Sequence, residues 1–174
     1  INGKNVLTSN AVFSVYEDTE GRKWIGTLRG GIDVIQPKQN PFKKVYDNAD
    51  KTATPSKNFI NAFCETDDKN IWIGTSGGGL KYWNRQSNTY VNYLHEPQNK
   101  NSISSNIVTY LVNDEANNTW IATWNGGINH YNANTKTFEH YTCFNPYTAA
   151  IENNVWLLYQ DSKKTLWAST TNNG

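Results

Sequence analysis

The chain has 174 residues, 37% hydrophobic and 13% aromatic, and sixteen basic against fifteen acidic residues give a formal net charge of +1. That length and apolar content support a folded core and exclude a disordered chain. A near-neutral balance without a run of like charges removes the electrostatic footprint of nucleic-acid binding, and no apolar stretch reaches the ~18 residues that span a membrane.

From the N-terminus, Ile1 stands where an initiator Met would, and no signal-peptide pattern follows, which predicts a mature or excised segment. Asn10 precedes a predicted strand over 11–15, AVFSV, and the polar turn YEDTEGRK leads to Trp24 and the segment WIGT. A Gly30-Gly31 turn then opens a third strand over 32–35, and a fourth runs over 42–46 from Phe42. After a link over 47–57 the plan repeats from Asn58, with strands over 59–63, from Trp72, over 80–83 and over 90–94 from Tyr90. A link over 95–105 leads to the third copy, from Asn106, with strands over 107–111, from Trp120, over 128–131 and over 138–142 from Phe138. The link over 142–152 leads to Asn153, a strand over 154–158, and Trp167.

The four tryptophans recur at spacings of 48, 48 and 47 residues, each 14 residues after its Asn. In the first three copies a Gly pair and an aromatic, Phe42, Tyr90 and Phe138, keep the same register. Short strands separated by turn residues are an all-β signature. A four-stranded unit of 40–50 residues is a propeller blade. The expected architecture is an all-β β-propeller fragment of about three and a half four-stranded antiparallel blades. The blades cover 10–57, 58–105, 106–152 and, as a half blade, 153–174. Since propellers close with about four to eight blades, the remainder is expected in a longer parent chain.

Blades stack face to face, so strands beginning at Trp24, Trp72, Trp120 and Trp167 read as almost continuously apolar or small. An indole buried between sheets removes about 150–250 Å² from water, at most about 4–6 kcal/mol. Gly26, Gly74 and Ala122, with Ala168 in the fourth copy, leave room for the neighbouring sheet, while the Gly pairs supply a tight turn. Lys69–Trp83 (KNIWIGTSGGGLKYW) is thus strand–turn–strand; no helix or P-loop lysine follows its glycines.

In a meander, the turns between second and third strands share an end with the links. At that end Leu28-Arg29, Ser76-Gly77, Trp124-Asn125 and Thr171-Asn172 vary between constant flanks, as a grafted binding face or neutral drift would both produce. Arg29, Trp124 and Asn125 are the candidate ligand residues: an exposed Trp124 stacks on a sugar face, whereas a packed one joins the next link. Trp83 and Trp156 fall inside strands and read as core.

Carboxylates before each Trp (Glu17-Asp18, Asp67-Asp68, Asp114-Glu115 and Asp161) read as turn caps. No nucleophile elbow, HExxH or metal spacing is present, so no catalytic residue, metal or cofactor is expected. Cys64 and Cys143 read as small buried thiols, Asn117-Asn118-Thr119 as a polar turn, and His95, His130 and His140 as structural or surface residues.

The pattern around Trp24-Ile25-Gly26-Thr27 and Trp72-Ile73-Gly74-Thr75 resembles the two-component regulator propeller repeat over essentially the whole chain. Trp120-Ile121-Ala122-Thr123 and Trp167-Ala168-Ser169-Thr170 depart from its W-I-G-T, as does IQPKQNPF in the first blade's turn. The resemblance implies a non-enzymatic sensor: a periplasmic ectodomain segment of a Bacteroides-type hybrid two-component system, recognising oligosaccharides and regulating polysaccharide utilisation. Propeller lyases, quinoproteins and pure dimerisation scaffolds are the alternatives. Exposed blade faces predict that the fragment forms a homo-oligomer.

Overall fold

The computed structural model describes residues 7–35, 43–45 and 59–171. Asn58, Phe42, Asn172 and the link over 47–57 lie outside these described residues. Fourteen strands occur among them. The first sheet is β1 (Val12–Glu17), β2 (Lys23–Thr27), β3 (Gly31–Ile35) and β4 (Lys43–Val45). The second is β5 (Ile60–Glu65), β6 (Ile71–Thr75), β7 (Leu80–Asn84) and β8 (Thr89–Tyr93). The third is β9 (Val108–Asn113), β10 (Thr119–Thr123), β11 (Gly127–Asn132) and β12 (Thr137–Tyr141), followed by the pair β13 (Val155–Gln160) and β14 (Leu166–Thr170).

Every sheet is an antiparallel meander in chain order. The first strands β1, β5, β9 and β13 pack on one another in succession, so the sheets stack face to face as propeller blades. Strand positions follow the landmark register within one or two residues.

Three apolar clusters fill the gaps. Trp24 joins Ile60, Phe63 and Trp83 between the first two sheets; Trp72 joins Val108, Leu111 and Phe138 between the next two. Ala122, Val155 and Leu158 form the third, with Trp120 packed at its side. Gly74 explains why small residues follow the indoles: a Cβ there would stand 2.6 Å from Val108 Cγ1 of the following sheet.

Burial declines along the series. Trp24 and Trp72 are 1% and 2% exposed, Trp120 is half-buried, and Trp167 is 59% exposed. A uniformly buried indole row is therefore corrected at its C-terminal end, because no further described sheet covers β13–β14. Trp156 is corrected too. It is 53% exposed rather than core. Trp156 stands at the register shift where Asn61 and Thr109 of the earlier sheets bond the Val108 and Val155 carbonyls of the next sheet, and no described sheet follows β13–β14 to cover it. Trp83, by contrast, is buried.

Candidate functional site

At the end where the links run, Asn106 and Asn153 each tie three chain segments together. Asn106 Oδ1 accepts the His95 N–H at 2.7 Å, while its carbonyl accepts the N–H groups of Gly77 and Gly79 at 2.9 Å. Asn153 repeats this with Cys143 N–H at 3.1 Å and Gly127 N–H at 3.0 Å. Thr75 and Thr123, fully buried, close the same turns by donating from Oγ1 to the carbonyls of Gly79 and Gly127, both at 2.8 Å. Asn10 itself is exposed.

The variable turn residues hang on a constant backbone. Leu28, Ser76, Trp124 and Thr171 each donate N–H to the carbonyl of the residue following the landmark Asn. Arg29, Gly77 and Asn125 occupy the next position with φ of 62°, 101° and 65°, a left-handed site that Gly and Asn tolerate best. Arg29 and Asn125 are exposed, but Arg29 stands on the first sheet and Asn125 on the third, so the structure does not bring them together. Trp124 is half-buried and meets Trp156 edge-on at 5.1 Å. Asn125 N–H donates to Asn154 Oδ1 at 2.9 Å beside this pair.

The opposite end carries stronger polar organisation, which the reading of turn variation missed. Asp18 Oδ1 accepts the N–H groups of Glu20 and Arg22, while Oδ2 accepts the Trp24 indole N–H at 2.9 Å. Asp114–Trp120 and Asp161–Trp167 repeat the bond at 3.0 and 2.9 Å. These carboxylates therefore cap their turns and also hold the indoles. Burial pushes the Asp18 carboxyl up, but hydrogen bonds from Trp24 and Arg22 outweigh it and hold it below the usual value. The second copy departs. Thr66 occupies the Asp18 position, whereas Asp68 matches Glu20 and accepts from Thr66, Asn70 and Tyr82 instead.

Between the first two sheets, this end opens into a cavity of about 650 Å³. Arg85, from the β7–β8 turn, crosses it. Its guanidinium lies 3.2 Å from Glu65 Oε1, 3.0 Å from Glu20 Oε1 and 3.7 Å from Asp18 Oδ2, and 6.0 Å from the Trp24 ring. Arg22 stacks at the same distance and pairs with Asp18 at 2.6 Å.

The next gap holds a cavity of about 630 Å³. Trp72 lies at its base among Tyr82, Tyr93 and Tyr131, with centroids 4.6, 5.6 and 4.8 Å away. Tyr93 and Tyr131 hydroxyls meet at 2.9 Å; burial, then this bond, raises the Tyr131 phenol above its ordinary value. Asn117 hydrogen-bonds Asp67 at the mouth. The 3–4 turns that line both cavities vary as much as the turns that sequence comparison singled out, but Arg85 finds its partners both 16–20 and 65 positions away.

Both cysteines are free and half-buried rather than buried; desolvation pushes the Cys64 thiol up to about 12. His95 and His140 bond the link backbone at Ile103 and Ser102, and His130 faces Glu139. Among the described residues, no group of His, Cys, Asp and Glu is placed to hold a metal.

Residues 54–77 and 150–172 match the family described as two component regulator propeller. The extracellular domain of the one-component system BT4673 from B. thetaiotaomicron is similar over 94% of this chain and 22% of its own, at 22% identity and a TM-score of 0.73. That of the hybrid two-component system BT3049 from the same organism is similar over 92% of this chain and 27% of its own, at 18% identity and 0.67. Virginiamycin B lyase from Staphylococcus aureus is similar over 91% of this chain and 48% of its own, at 13% identity and 0.66. The chain thus spans about a quarter of the length of those extracellular domains. A search of curated proteins finds no match. Likeness at these identities establishes the fold, which sensors and a lyase share. Trp72-Ile73-Gly74-Thr75 lies inside the first matched segment and Trp167 inside the second, so these two stretches match the two-component regulator propeller repeat.

Proposed function

We propose that the chain is part of the ligand-sensing ectodomain of a hybrid two-component system, on the periplasmic side of the inner membrane. It recognises oligosaccharides and governs use of the parent polysaccharide. The observation that carries this reading is the repeat match, together with likeness to extracellular domains of such systems. No helix of the described residues is long and apolar enough to cross a membrane, and phosphoryl transfer belongs to other domains of such proteins. The segment's own work is recognition. Trp124 and Trp156 form an aromatic platform at the link end, where a sugar's C–H face can stack. Asn125 supplies an adjacent amide, and Arg29 a donor for a longer ligand.

Tryptophan fluorescence of the complete ectodomain, titrated with neutral and acidic oligosaccharides, tests this. Saturable quenching with the sugar recovered intact is expected. Cleaved product would make the protein an enzyme, and silence across the panel would remove the saccharide reading.

A further inference from the structure

The two inter-sheet cavities have matching walls and different chemistry. Forty-eight positions beyond Arg85 stands Ala133, and forty-eight beyond Glu65 stands Asn113. In the first gap Arg85 bridges both sheets, held by Glu65, Glu20 and the Lys69 carbonyl. In the second, Ala133 has no side chain to cross the gap. Asn113 makes a shorter crossing, donating to the Glu65 carbonyl of the second sheet at 2.6 Å while accepting from Thr119 at 2.9 Å. Val34 in the first gap corresponds to Tyr82 in the second, so the guanidinium has been exchanged for aromatic wall.

We propose that the cavity between the second and third sheets is a second saccharide subsite that takes one uncharged pyranose unit, at the end opposite Trp124. The inference rests on the saccharide reading above and adds a separate place of contact. The volume of about 630 Å³ lies within the usual range for small-ligand sites. Half-buried Tyr82 and Tyr131 flank Trp72 and offer ring faces to a sugar's apolar C–H face. The hydroxyl pair Tyr93–Tyr131 holds two hydrogens and one mutual bond, so one O–H has no acceptor among the described residues. A sugar hydroxyl fits that donor. Asn134 on the rim uses its backbone N–H toward Asn132 and leaves its carboxamide to a ligand. Asp67 and Asp68 on the wall disfavour an anionic sugar and accept from a neutral one.

The first gap supplies the test. Ala133→Arg with Asn113→Glu sets an ion pair of the Arg85 type across the second cavity, in front of its ring faces. The probes are the oligosaccharides that quench the ectodomain, together with methyl glycosides of glucose, galactose and mannose. Binding of the methyl glycosides should fall at least tenfold in the double variant while circular dichroism stays unchanged. Tyr93→Phe combined with Tyr131→Phe, which removes both hydroxyls and keeps both rings, should weaken binding about threefold to tenfold and covers the case in which the double variant fails to fold. Unaltered affinity in these variants, with loss in Trp156→Ala, would overturn the subsite and leave the sensor reading standing. No binding by the wild-type ectodomain would overturn both.

Discussion

Two gaps between consecutive sheets, built on one repeat, are closed by different means. The first is sealed by ions: Arg85 and Arg22 flank Trp24, and Asp18, Glu20 and Glu65 neutralise them. The second is sealed by rings: Trp72 packs with Tyr82, Tyr93 and Tyr131, and Ala133 stands where Arg85 would. Backbone and cavity size are nearly shared, at about 650 and 630 Å³, so the chemistry is set by a few side chains on strands and outer turns. A repeat fold can therefore hold its shape while changing what each gap accepts.

The hardest blow to the second gap is Trp72→Ala. Removing a side chain only 2% exposed and touching three tyrosines should cost about 3–5 kcal/mol in urea unfolding. A loss below about 1 kcal/mol would show that the tyrosines, not the indole, hold the sheets. Arg85→Ala strikes the first gap by another route. It takes the cationic partner from Glu65, whose side chain is only 5% exposed and keeps just the longer bonds from Tyr16 and Thr19, and should cost about 2–4 kcal/mol. Arg85→Met keeps much of the packing against Trp24 and separates stem from charge. Near-wild-type stability in the methionine variant would reduce the ionic seal to packing.

How far these differences were legible in the sequence depends on their range. Asn, Trp, the Gly pair and the aromatic hold one register because they serve local turns and sheet contacts that recur from sheet to sheet, as at Asn106 and Asn153 or Trp24 and Trp72, and strand order followed from them. The Asp–Trp bond was half legible: turn capping is local, but the second carboxylate oxygen reaches the indole six residues on. Reading Asp67-Asp68 as the same feature erred in frame, since Thr66 takes the Asp18 position. Trp156 misled because its place in the strand meets the next sheet, as Thr109 meets Val155, and no described sheet follows β13–β14. The clamp was illegible. Arg85 and Glu20 are 65 residues apart, and only the stacking of sheets makes them neighbours.

A smaller effect separates the gaps by pH. The folded Asp18 carboxyl sits below its ordinary value of 3.8, so the unfolded chain binds that proton more readily. Its contribution is therefore full above about pH 4 and is lost as pH falls through the folded value. Asp18→Asn should lower stability at neutral pH by about 1–2 kcal/mol, because a charged acceptor for the Trp24 indole and the Arg22 guanidinium is lost. It should also flatten the acid limb of stability against pH. Because Asp68, Asp114 and Asp161 are lowered too, part of the limb should survive. An unchanged limb would show that Asp18 is not the group through which the first gap responds to acid.

The smallest effect comes from giving the second gap the carboxylate that it lacks. Thr66→Asp places an acid at the position of Asp18, where the first gap gains an indole bond. The surroundings differ, however. Asp18 and Glu20 are held beside Arg22 and Arg85, whereas residue 66 would lie beside Asp68 with Asn70 and Ala133 at the arginine positions. Thr66 also gives up its bond to the Asn70 carbonyl, 3.1 Å away. Repulsion between the two carboxylates should outweigh any new bond, for a net loss of about 0.5–1 kcal/mol. The deficit should shrink as salt is added, because screening weakens repulsion near the surface. A stabilised Thr66→Asp variant would mean that the indole bond alone governs each gap and that the arginines are incidental to it. A salt-independent loss would point to the missing hydroxyl bond instead of charge.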